Sequence, residues 1–513
     1  MFEFTRRDFL KTGAKGIAFA AVPIIFKANP LAALTAPSGD AKVSNYFAHF
    51  GVDEGVIGKV MAVALERGGD YCDIYFQHTI NNDIILEDDI VNRAFCDVDY
   101  GVGIRVIEGE QTGYSFTEEI TPEAMKLAAK TAANIASESR TAPVANLSFH
   151  PTPDYYRVET PWEDVKIDQK IPLLQKINER MLARDKRVIR TRVRFNDSGS
   201  YILIATSEGR MVCDYRPMVT VYGACTAEQN KQRERNSFSL SGRKGVEFLT
   251  PETLNRIGDQ AVQRTVVLFD AVKPEGGEME VVLGPGKSGI LLHEAIGHGM
   301  EADVNRKGMS IFADKVGKPV AEKFVSIVDD GTVEGHRGSL NVDDEANDAE
   351  KTFLVSDGIL RGYLHDRISA RHYEVRPTGN GRRQSFRYHP IPRMRNTYML
   401  PGPHKREEII GSVKKGLYAD SFTNGQVRIG PGDFTFYLDI GYLIEDGRLT
   451  RPVKDVNIIG NGPEVLSKIV MVADDFQLDT GSGTCGKDGQ RVPASMGLPT
   501  VKVSSITVGG VSA

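Results

Sequence analysis

Two blocks of metal-binding side chains, set far apart in the sequence, constrain this chain more than any other feature. His293, Glu294 and His298 stand together, and Cys485 lies in a glycine-rich segment far downstream. Two imidazoles, a thiolate and a neighbouring carboxylate are the groups of a catalytic zinc site, with three protein ligands, an open position for water and a general base. We therefore predict that the fold brings Cys485 onto the His-Glu segment.

The spacing of the two histidines predicts a local irregularity. A pair four residues apart lies about 40° apart around a helix, whereas a spacing of five separates the side chains by about 140°. Two imidazoles at that angle cannot both reach one ion at about 2.0–2.1 Å. We expect the helix to unwind or bulge between His293 and His298, with Gly297 and Gly299 supplying the backbone freedom.

Length and composition indicate a globular protein of several domains. With 513 residues, the chain is too long for one hydrophobic core. Its formal net charge of −5 argues against a nucleic-acid-binding protein. The five cysteines are few for a disulfide framework; Cys72, Cys96, Cys213 and Cys225 are either bridged or buried thiols, and the count favours thiols.

Helix caps and strand patterns predict an α+β fold. Residues 53–65 have a helical pattern, and Thr121 and Thr250 each open a further helix with proline at the first helical position. We predict a multidomain mixed α/β chain with a β-rich, metal-bearing C-terminal domain. Its expected parts are a signal segment at 1–36, an N-terminal α/β domain at 47–140, a central α+β domain at 150–272 and the C-terminal domain at 276–510.

One further helix and several strands are also predicted. Residues 168–182 have a helical pattern, and residues 189–195 alternate at the period of a half-buried strand. The run Asn196-Asp197-Ser198-Gly199 indicates a turn into a second strand at 201–205. Strands are also expected at 323–328, 434–444 and 501–508 in the C-terminal domain.

The N-terminus has the composition of an export signal. Arg6 and Arg7 precede a short apolar run from Gly16 to Phe26, which is typical of a twin-arginine signal and too short for a permanent membrane span. We therefore expect export to the periplasm. The alternatives are an uncleaved anchor and an amphipathic arm of a cytoplasmic protein.

Four segments in a fixed order resemble a known family. They are the His-Glu block at 293–299 with Glu301 and Asp303, the Gly-Asn-Gly-Arg-Arg segment at 379–383, the Pro-Arg-Met segment at 392–398 and the Gly-Thr-Cys-Gly segment at 483–490. Together they resemble the TldD branch, the metal-bearing branch, of the TldD/PmbA metallopeptidases. The resemblance spans residues 47 to 510.

The resemblance implies a zinc peptidase that hydrolyses unfolded or extended polypeptides. It makes His293, His298 and Cys485 zinc ligands and Glu294 the catalytic base. It also implies a dimer, either with a second copy or with a TldE/PmbA-like subunit, around an internal chamber. Asn380, Arg382 and Arg383 are weaker candidates for substrate binding along that chamber.

Other functions remain open at this stage. The chain is alternatively a catalytically silent structural subunit or a regulatory binding protein of the same family; the complete set of ligands and base argues against the silent subunit. His336 and Arg382 are candidates for stabilising the oxyanion. The sequence leaves the natural substrate, and the choice between endopeptidase and exopeptidase, undetermined.

Overall fold

The computed structural model describes residues 46–136, 143–428 and 430–510. The predicted signal segment at 1–36 lies outside these residues. The described chain is a mixed α/β protein, as predicted, and its strands form two seven-stranded sheets, one six-stranded sheet and two small two-stranded pairs. None of the described helices combines the length and apolar composition that a membrane-spanning helix needs.

The first sheet has the strand order β3-β2-β1-β5-β6-β4, with β7 also paired to β6. Strand β1 pairs with β5 over Asp73–Glu87 and Arg192–Thr206, so the segments predicted as N-terminal and central domains contribute to the same sheet. Its strands are β1 (Tyr71–Glu87), β2 (Ile90–Glu108), β3 (Gln111–Thr117), β4 (Ser148–Phe149), β5 (Val188–Thr206), β6 (Arg210–Gln229) and β7 (Gln232–Gly242).

Four capped helices pack on this sheet in two pairs. Helices α1 (Glu54–Ala64) and α2 (Pro122–Ala132) share one buried core with β1 and β2, while α3 (Ile167–Arg184) and α4 (Pro251–Val266) share a second with β5 and β6. The two predicted caps are confirmed, because the side chains of Thr121 and Thr250 each accept a hydrogen bond from a backbone N–H three residues on. Asp53, predicted as part of α1, caps that helix in the same way. The helix predicted at 168–182 is also confirmed.

The turn predicted at 196–199 is wrong, because β5 runs through it without a break. Both neighbours, β1 and β6, stay paired with β5 across this segment. Asp197 is fully buried there and accepts hydrogen bonds from Lys170 Nζ at 2.7 Å and Asn82 Nδ2 at 2.8 Å. Partners distant in sequence therefore satisfy a polar run that would otherwise favour a turn.

The C-terminal half contains the other two large sheets. The seven-stranded sheet has the order β15-β8-β24-β18-β16-β17 with β19 on β24, and the six-stranded sheet has the order β11-β10-β9-β14-β23-β20. The strands of the former are β8 (Gly277–Leu283), β15 (Lys415–Arg428), β16 (Asp433–Glu445), β17 (Arg448–Val453), β18 (Asn457–Asn461), β19 (Ile469–Val472) and β24 (Val501–Gly509). Those of the latter are β9 (Ile327–Asp330), β10 (Lys351–Ser356), β11 (Ile359–Leu360), β14 (Asn396–Met399), β20 (Gln477–Leu478) and β23 (Ser495–Leu498).

Short helices and two small hairpin-like pairs complete this half. The strands predicted at 434–444 and 501–508 are confirmed, whereas the one predicted at 323–328 is displaced: a turn closed by Val325 N–H and Glu322 O precedes β9. The remaining elements are α5 (Ile290–Leu292), α6 (Ala302–Arg306), α7 (Arg367–His372), α8 (Arg406–Gly411), α9 (Gly462–Ser467), β12 (Gly381–Arg382) paired with β13 (Ile391–Pro392), and β21 (Thr484–Lys487) paired with β22 (Gln490–Pro493).

All five cysteines are unbridged in this structure. Cys72, Cys225 and Cys485 are buried, and Cys213 is partly exposed. Cys96 is exposed, so the interpretation of this residue as a buried thiol is wrong: it lies on the part of β2 that pairs with β1 alone, in a run at 90–98 whose residues are all exposed.

Candidate metal centre

The His-Glu segment forms a π turn. Helix α5 widens at His293–Gly297, where the His298 N–H donates to the carbonyl of His293, five residues earlier, before a final 3-10 turn ends at Met300. A π turn adds about one residue to a helical turn, so two side chains five apart return to the same side of the helix. The expected bulge is confirmed, and the imidazole rings lie 5.1 Å apart between centroids at 81°.

The two glycines have a different role from the one expected. Gly297 keeps ordinary right-handed helical torsions, with φ −59° and ψ −49°. A Cβ at Gly297 would overlap the sulfur of Met394, and one at Gly299 would lie 2.8 Å from the ring of Phe312. The glycines therefore allow close packing of the π turn against the core, and backbone freedom is not what they supply.

The β21–β22 hairpin brings Cys485 to the π turn. One ligand atom from each of His293, His298 and Cys485 lies within 4.8 Å of the others, and the Cys485 Sγ is 3.4 Å from His298 Nε2. We call these three residues the metal cluster. All are at most 2% exposed, and His293 Nδ1 has no hydrogen-bond partner.

A buried carboxylate fixes the orientation of His298. Glu301 Oε2 lies 2.9 Å from His298 Nδ1 and 3.0 Å from Lys487 Nζ. Burial would raise the pKa of Glu301, but the charges of Lys487 and His298 outweigh it and lower this pKa to about 2. An ionised carboxylate only accepts hydrogen bonds, so Nδ1 carries a proton, and loss of the second ring proton would leave Nε2 to bind a ligand on the Cys485 side.

The thiol of Cys485 is held as a thiolate. Burial would raise the pKa of Cys485, but His298 and His293 hold it well below its usual value. Arg393 holds the hairpin in place, because its Nη2 donates a hydrogen bond to the Cys485 carbonyl at 2.6 Å. The thiolate is therefore formed by residues of the π turn and positioned by a residue of a second segment.

Glu294 lies beside the metal cluster and is more open to water. Its Oε2 is 3.9 Å from His298 Nε2, and its side chain is 22% exposed, compared with 3% for that of His298. A general base needs to contact both the reacting water and the ligand set, and only Glu294 among these residues has that access.

The segment Asn380, Arg382 and Arg383, here called the arginine strip, is brought near the hairpin but buried. Asn380 donates to Asp329 Oδ2 and the Arg393 carbonyl. Arg382 donates hydrogen bonds from Nη1 to the Met394 carbonyl and from Nη2 to the Pro493 carbonyl, so both terminal nitrogens of its guanidinium are used.

Arg383 contacts Asp73 at 3.1 Å and the carbonyl of Asp344 at 2.8 Å. Asn380, Arg382 and Arg383 are each at most 4% exposed. These contacts give the strip a structural role in joining the first sheet to the C-terminal half. Its placement therefore does not favour the predicted role in binding substrate, nor the role of Arg382 at the oxyanion.

Sequence reasoning missed the supporting residues of the site. Glu301 and Lys487 were visible only as parts of the family-like segments, and Arg393 likewise; no pattern in the sequence indicated that they contact His298 or Cys485. Glu301 carried one local signal, because it follows His298 by three residues and so lies one helical turn away.

Comparisons with known proteins establish the family of this chain. Three family models match in order: PmbA/TldA metallopeptidase domain 1 over residues 72–136, the central domain over 160–269 and the C-terminal domain over 276–510. A Haemophilus influenzae protein named metalloprotease TldD homolog is 39% identical over 459 residues, covering 88% of this chain and 95% of that protein. The chain belongs to the TldD/PmbA metallopeptidase family.

More distant relatives extend the comparison. A Saccharolobus solfataricus protein named zinc metalloprotease TldD homolog is 29% identical over 455 residues, covering 88% of this chain and 99% of that protein. Crystal structures of a candidate DNA gyrase modulator from Thermotoga maritima and of TldE from Thermococcus kodakarensis match with TM-scores of 0.70 and 0.67. Each covers 89% of this chain and 100% of its own, at 21% and 18% identity, so these two matches establish the fold alone.

Proposed function

We propose that this chain is a zinc-dependent metallopeptidase that hydrolyses unfolded or extended polypeptides. One observation carries the proposal: His293, His298 and Cys485 converge in a buried cluster with Glu294 at its open side. Family membership supports the peptidase class, and the name of the Saccharolobus relative supports zinc as the metal.

The donor set fits zinc. Ligands about 2.0–2.3 Å from a tetrahedral ion are about 3.3–3.8 Å from one another, and the 3.4 Å between Cys485 Sγ and His298 Nε2 falls in that range. One ring nitrogen of His293 lies within 4.8 Å of the ligand atoms of His298 and Cys485, close enough for all three to bind one ion. His293, His298 and Cys485 would hold the ion.

The residues divide the chemistry between them. When bound, zinc would lower the pKa of a water molecule and polarise the peptide carbonyl. The Glu294 carboxylate accepts the proton from the attacking water and delivers it to the leaving amine. Glu301 keeps the His298 ring in the required tautomer, and Arg393 holds the backbone of Cys485.

The experiment that tests this function is the isosteric change Glu294→Gln. The variant should bind zinc as wild type does and should lose about 10²–10⁴-fold in peptidase rate, because only the base is removed. Denatured casein should be digested faster than a folded protein substrate by wild type. Wild-type rates in Glu294→Gln would overturn the role of the base, and equal rates on folded and unfolded substrates would overturn the substrate class.

A partner subunit is part of the proposal. We infer that the chain works as a homodimer or as a heterodimer with a TldE/PmbA-like subunit; its fold likeness to TldE supports such a partnership. Light scattering of the purified chain, alone and with a co-expressed TldE-like subunit, distinguishes the two. A monomer under both conditions would remove dimerisation from the proposal.

Periplasmic localisation rests on residues 1–36 alone. We propose twin-arginine export, read through Arg6 and Arg7. Changing both to lysine keeps the charge but removes the guanidinium pair, so the variant should stay in the cytoplasm. Identical fractionation of the two forms would contradict export by this route.

A further inference from the structure

A basic cavity lies beside the hairpin that carries Cys485. It has a volume of about 280 Å³ and is bounded by the end of β7, the first turns of α4 and loops of the C-terminal half. Lys244, Arg256 and His336 line it, together with the hydroxyl-bearing residues Ser241, Thr253 and Thr480. The lining thus combines two cations with hydrogen-bond donors, which suits an anionic ligand.

The two cations that line this cavity contact aromatic rings. Lys244 Nζ lies 4.6 Å from the centroid of the Phe248 ring, and the guanidinium of Arg256 lies 5.6 Å from that of Phe238. Within residues 46–136, 143–428 and 430–510, no carboxylate forms an ion pair with either cation. Glu252 is the only acidic residue in the lining, and it is exposed.

A third cation lies behind the cavity wall. Arg337 Nη1 donates to Ser241 Oγ at 2.8 Å, and its Nε donates to the Gly483 carbonyl at 2.7 Å. Burial and the nearby Arg243 lower the pKa of Arg337 to about 10, so it is still protonated at neutral pH. In the described part of the chain it has no carboxylate partner, and the Nε of the buried Arg243 is likewise without a partner. Positive charge in this wall is therefore in excess.

Arg337 also places the cavity close to the metal cluster. The same guanidinium contacts Ser241 of the cavity and Gly483, two residues before Cys485. One residue of an extended peptide spans about 3.3 Å. A polypeptide bound at the metal cluster would therefore reach the cavity within a few residues.

We propose that this cavity binds a carboxylate of the polypeptide substrate, with Lys244 as its main cation. The inference rests on the proposed peptidase function and adds a preference to it. The carboxylate is either the C-terminus of the substrate or the side chain of an aspartate or glutamate. Both sources present the same planar anion, and hydroxyl donors in the lining complete its hydrogen bonds.

Three forms of one unstructured peptide test the proposal. The first has a free C-terminus and one aspartate, the second has the same sequence with a C-terminal amide, and the third has the free C-terminus but asparagine for aspartate. Wild type should cleave the first peptide with a kcat/KM about tenfold higher than that for the peptide that lacks the carboxylate bound by the cavity. An effect of about tenfold is expected for one charge-assisted hydrogen bond. Loss with the amide identifies the terminus, and loss with asparagine identifies the side chain.

Variants of the lining assign the preference to the cavity. Lys244→Met keeps the length of the side chain and should reduce the ratio of rates to near one, whereas Lys244→Arg should preserve it. Lys176→Met, at an exposed lysine of α3 outside the cavity, is the matched control and should keep the wild-type ratio. A wild-type ratio near one, or an unchanged ratio in Lys244→Met, would overturn the inference.

Binding separates failure of this inference from failure of the proposed function. The same peptides can be titrated calorimetrically against zinc-loaded Glu294→Gln, in which turnover is removed. If wild type cleaves no peptide but the titration shows the Lys244-dependent preference, the peptidase proposal fails and the carboxylate site stands. If peptides are cleaved and bound without any preference, the carboxylate site fails alone.

Discussion

The metal cluster and the arginine strip are both buried, yet their polar atoms are used in opposite ways. Most donors of the strip contact an oxygen of the surrounding protein, as in the pairs from Arg382 to Met394 and Pro493, and Arg383 Nε is the exception among its described buried atoms. In the metal cluster the polar atoms point at one another, and His293 Nδ1 has no partner. The first arrangement stabilises a fold, and the second arrangement is suited to binding an ion.

This difference shows that the contacts of a polar segment, and not its composition, indicate its role. Both segments are rich in polar residues and glycine, and both resemble family segments, so sequence alone gave each a functional interpretation. Their contacts separate them, because the side chains of the strip use most of their donors within the protein, whereas the ligand atoms of the metal cluster face one another. Variants of the two regions should therefore fail in different ways.

The largest effect on stability is expected in the arginine strip. Arg383→Met removes a donor from the Asp344 carbonyl and leaves Asp73 its ion pair with Arg105, so it should lower the free energy of unfolding by about 1–3 kcal/mol. The molecules that remain folded should keep the wild-type kcat/KM. Urea unfolding and activity per folded molecule measure both quantities.

A nearby arginine provides the control for this change. Arg387 also forms two ion pairs, but its side chain is 34% exposed, so Arg387→Met should cost only about 0–1 kcal/mol. If Arg383→Met were as stable as wild type but bound peptides poorly, the strip would belong to the substrate site after all.

A smaller effect is expected from the residue that orients His298. Glu301→Gln removes the charge beside His298 Nδ1 and should weaken zinc binding about 10–100-fold, as measured by competition with a chelator. Asp303→Asn is the matched change, since Asp303 shares Lys487 with Glu301 at 2.7 Å. It should have a weaker effect; equal effects would show that Lys487, not the tautomer of His298, controls affinity.

The last effect is a change in the stability of the protein with pH that depends on Asp343. Burial and the neighbouring Glu345 raise the pKa of Asp343 from 3.8 to about 7 in the folded protein. Between these values the folded state holds a proton that the unfolded state releases, so this residue stabilises the protein less as pH rises from about 4 to about 7. Asp343→Asn loses hydrogen bonds at every pH.

The stability gap between wild type and Asp343→Asn should therefore narrow across that range. Unfolding midpoints of both proteins, measured at several pH values, give the gap directly. A gap that widens with pH would contradict the raised pKa and the buried pairing of Asp343 with Glu345.

Local features of the fold were predictable from the sequence. The caps at Thr121 and Thr250 depend on residues three positions apart, and the π turn follows from the spacing of His293 and His298. These are short-range effects, for which the sequence contains both partners.

Features that depend on distant partners were not predictable. Asp197 continues a strand because Lys170 and Asn82 reach it, and nothing near it in sequence indicates this. Likewise, Gly297 is required by Met394, which lies on another segment. The same holds for Glu301 and its partner Lys487. Tertiary contacts, which patterning does not specify, decided each of these cases.

The proposed zinc site lies where the hairpin meets the π turn, and the zinc content of the purified protein tests it most directly. Wild type, Cys485→Ala and Cys225→Ala should be purified identically and analysed for metal by mass spectrometry. Cys225 is the matched control, because it is buried but hydrogen-bonded to Thr265, away from the cluster. We predict one zinc per chain in wild type and Cys225→Ala and loss of most zinc in Cys485→Ala. Stoichiometric zinc in folded Cys485→Ala would contradict the account.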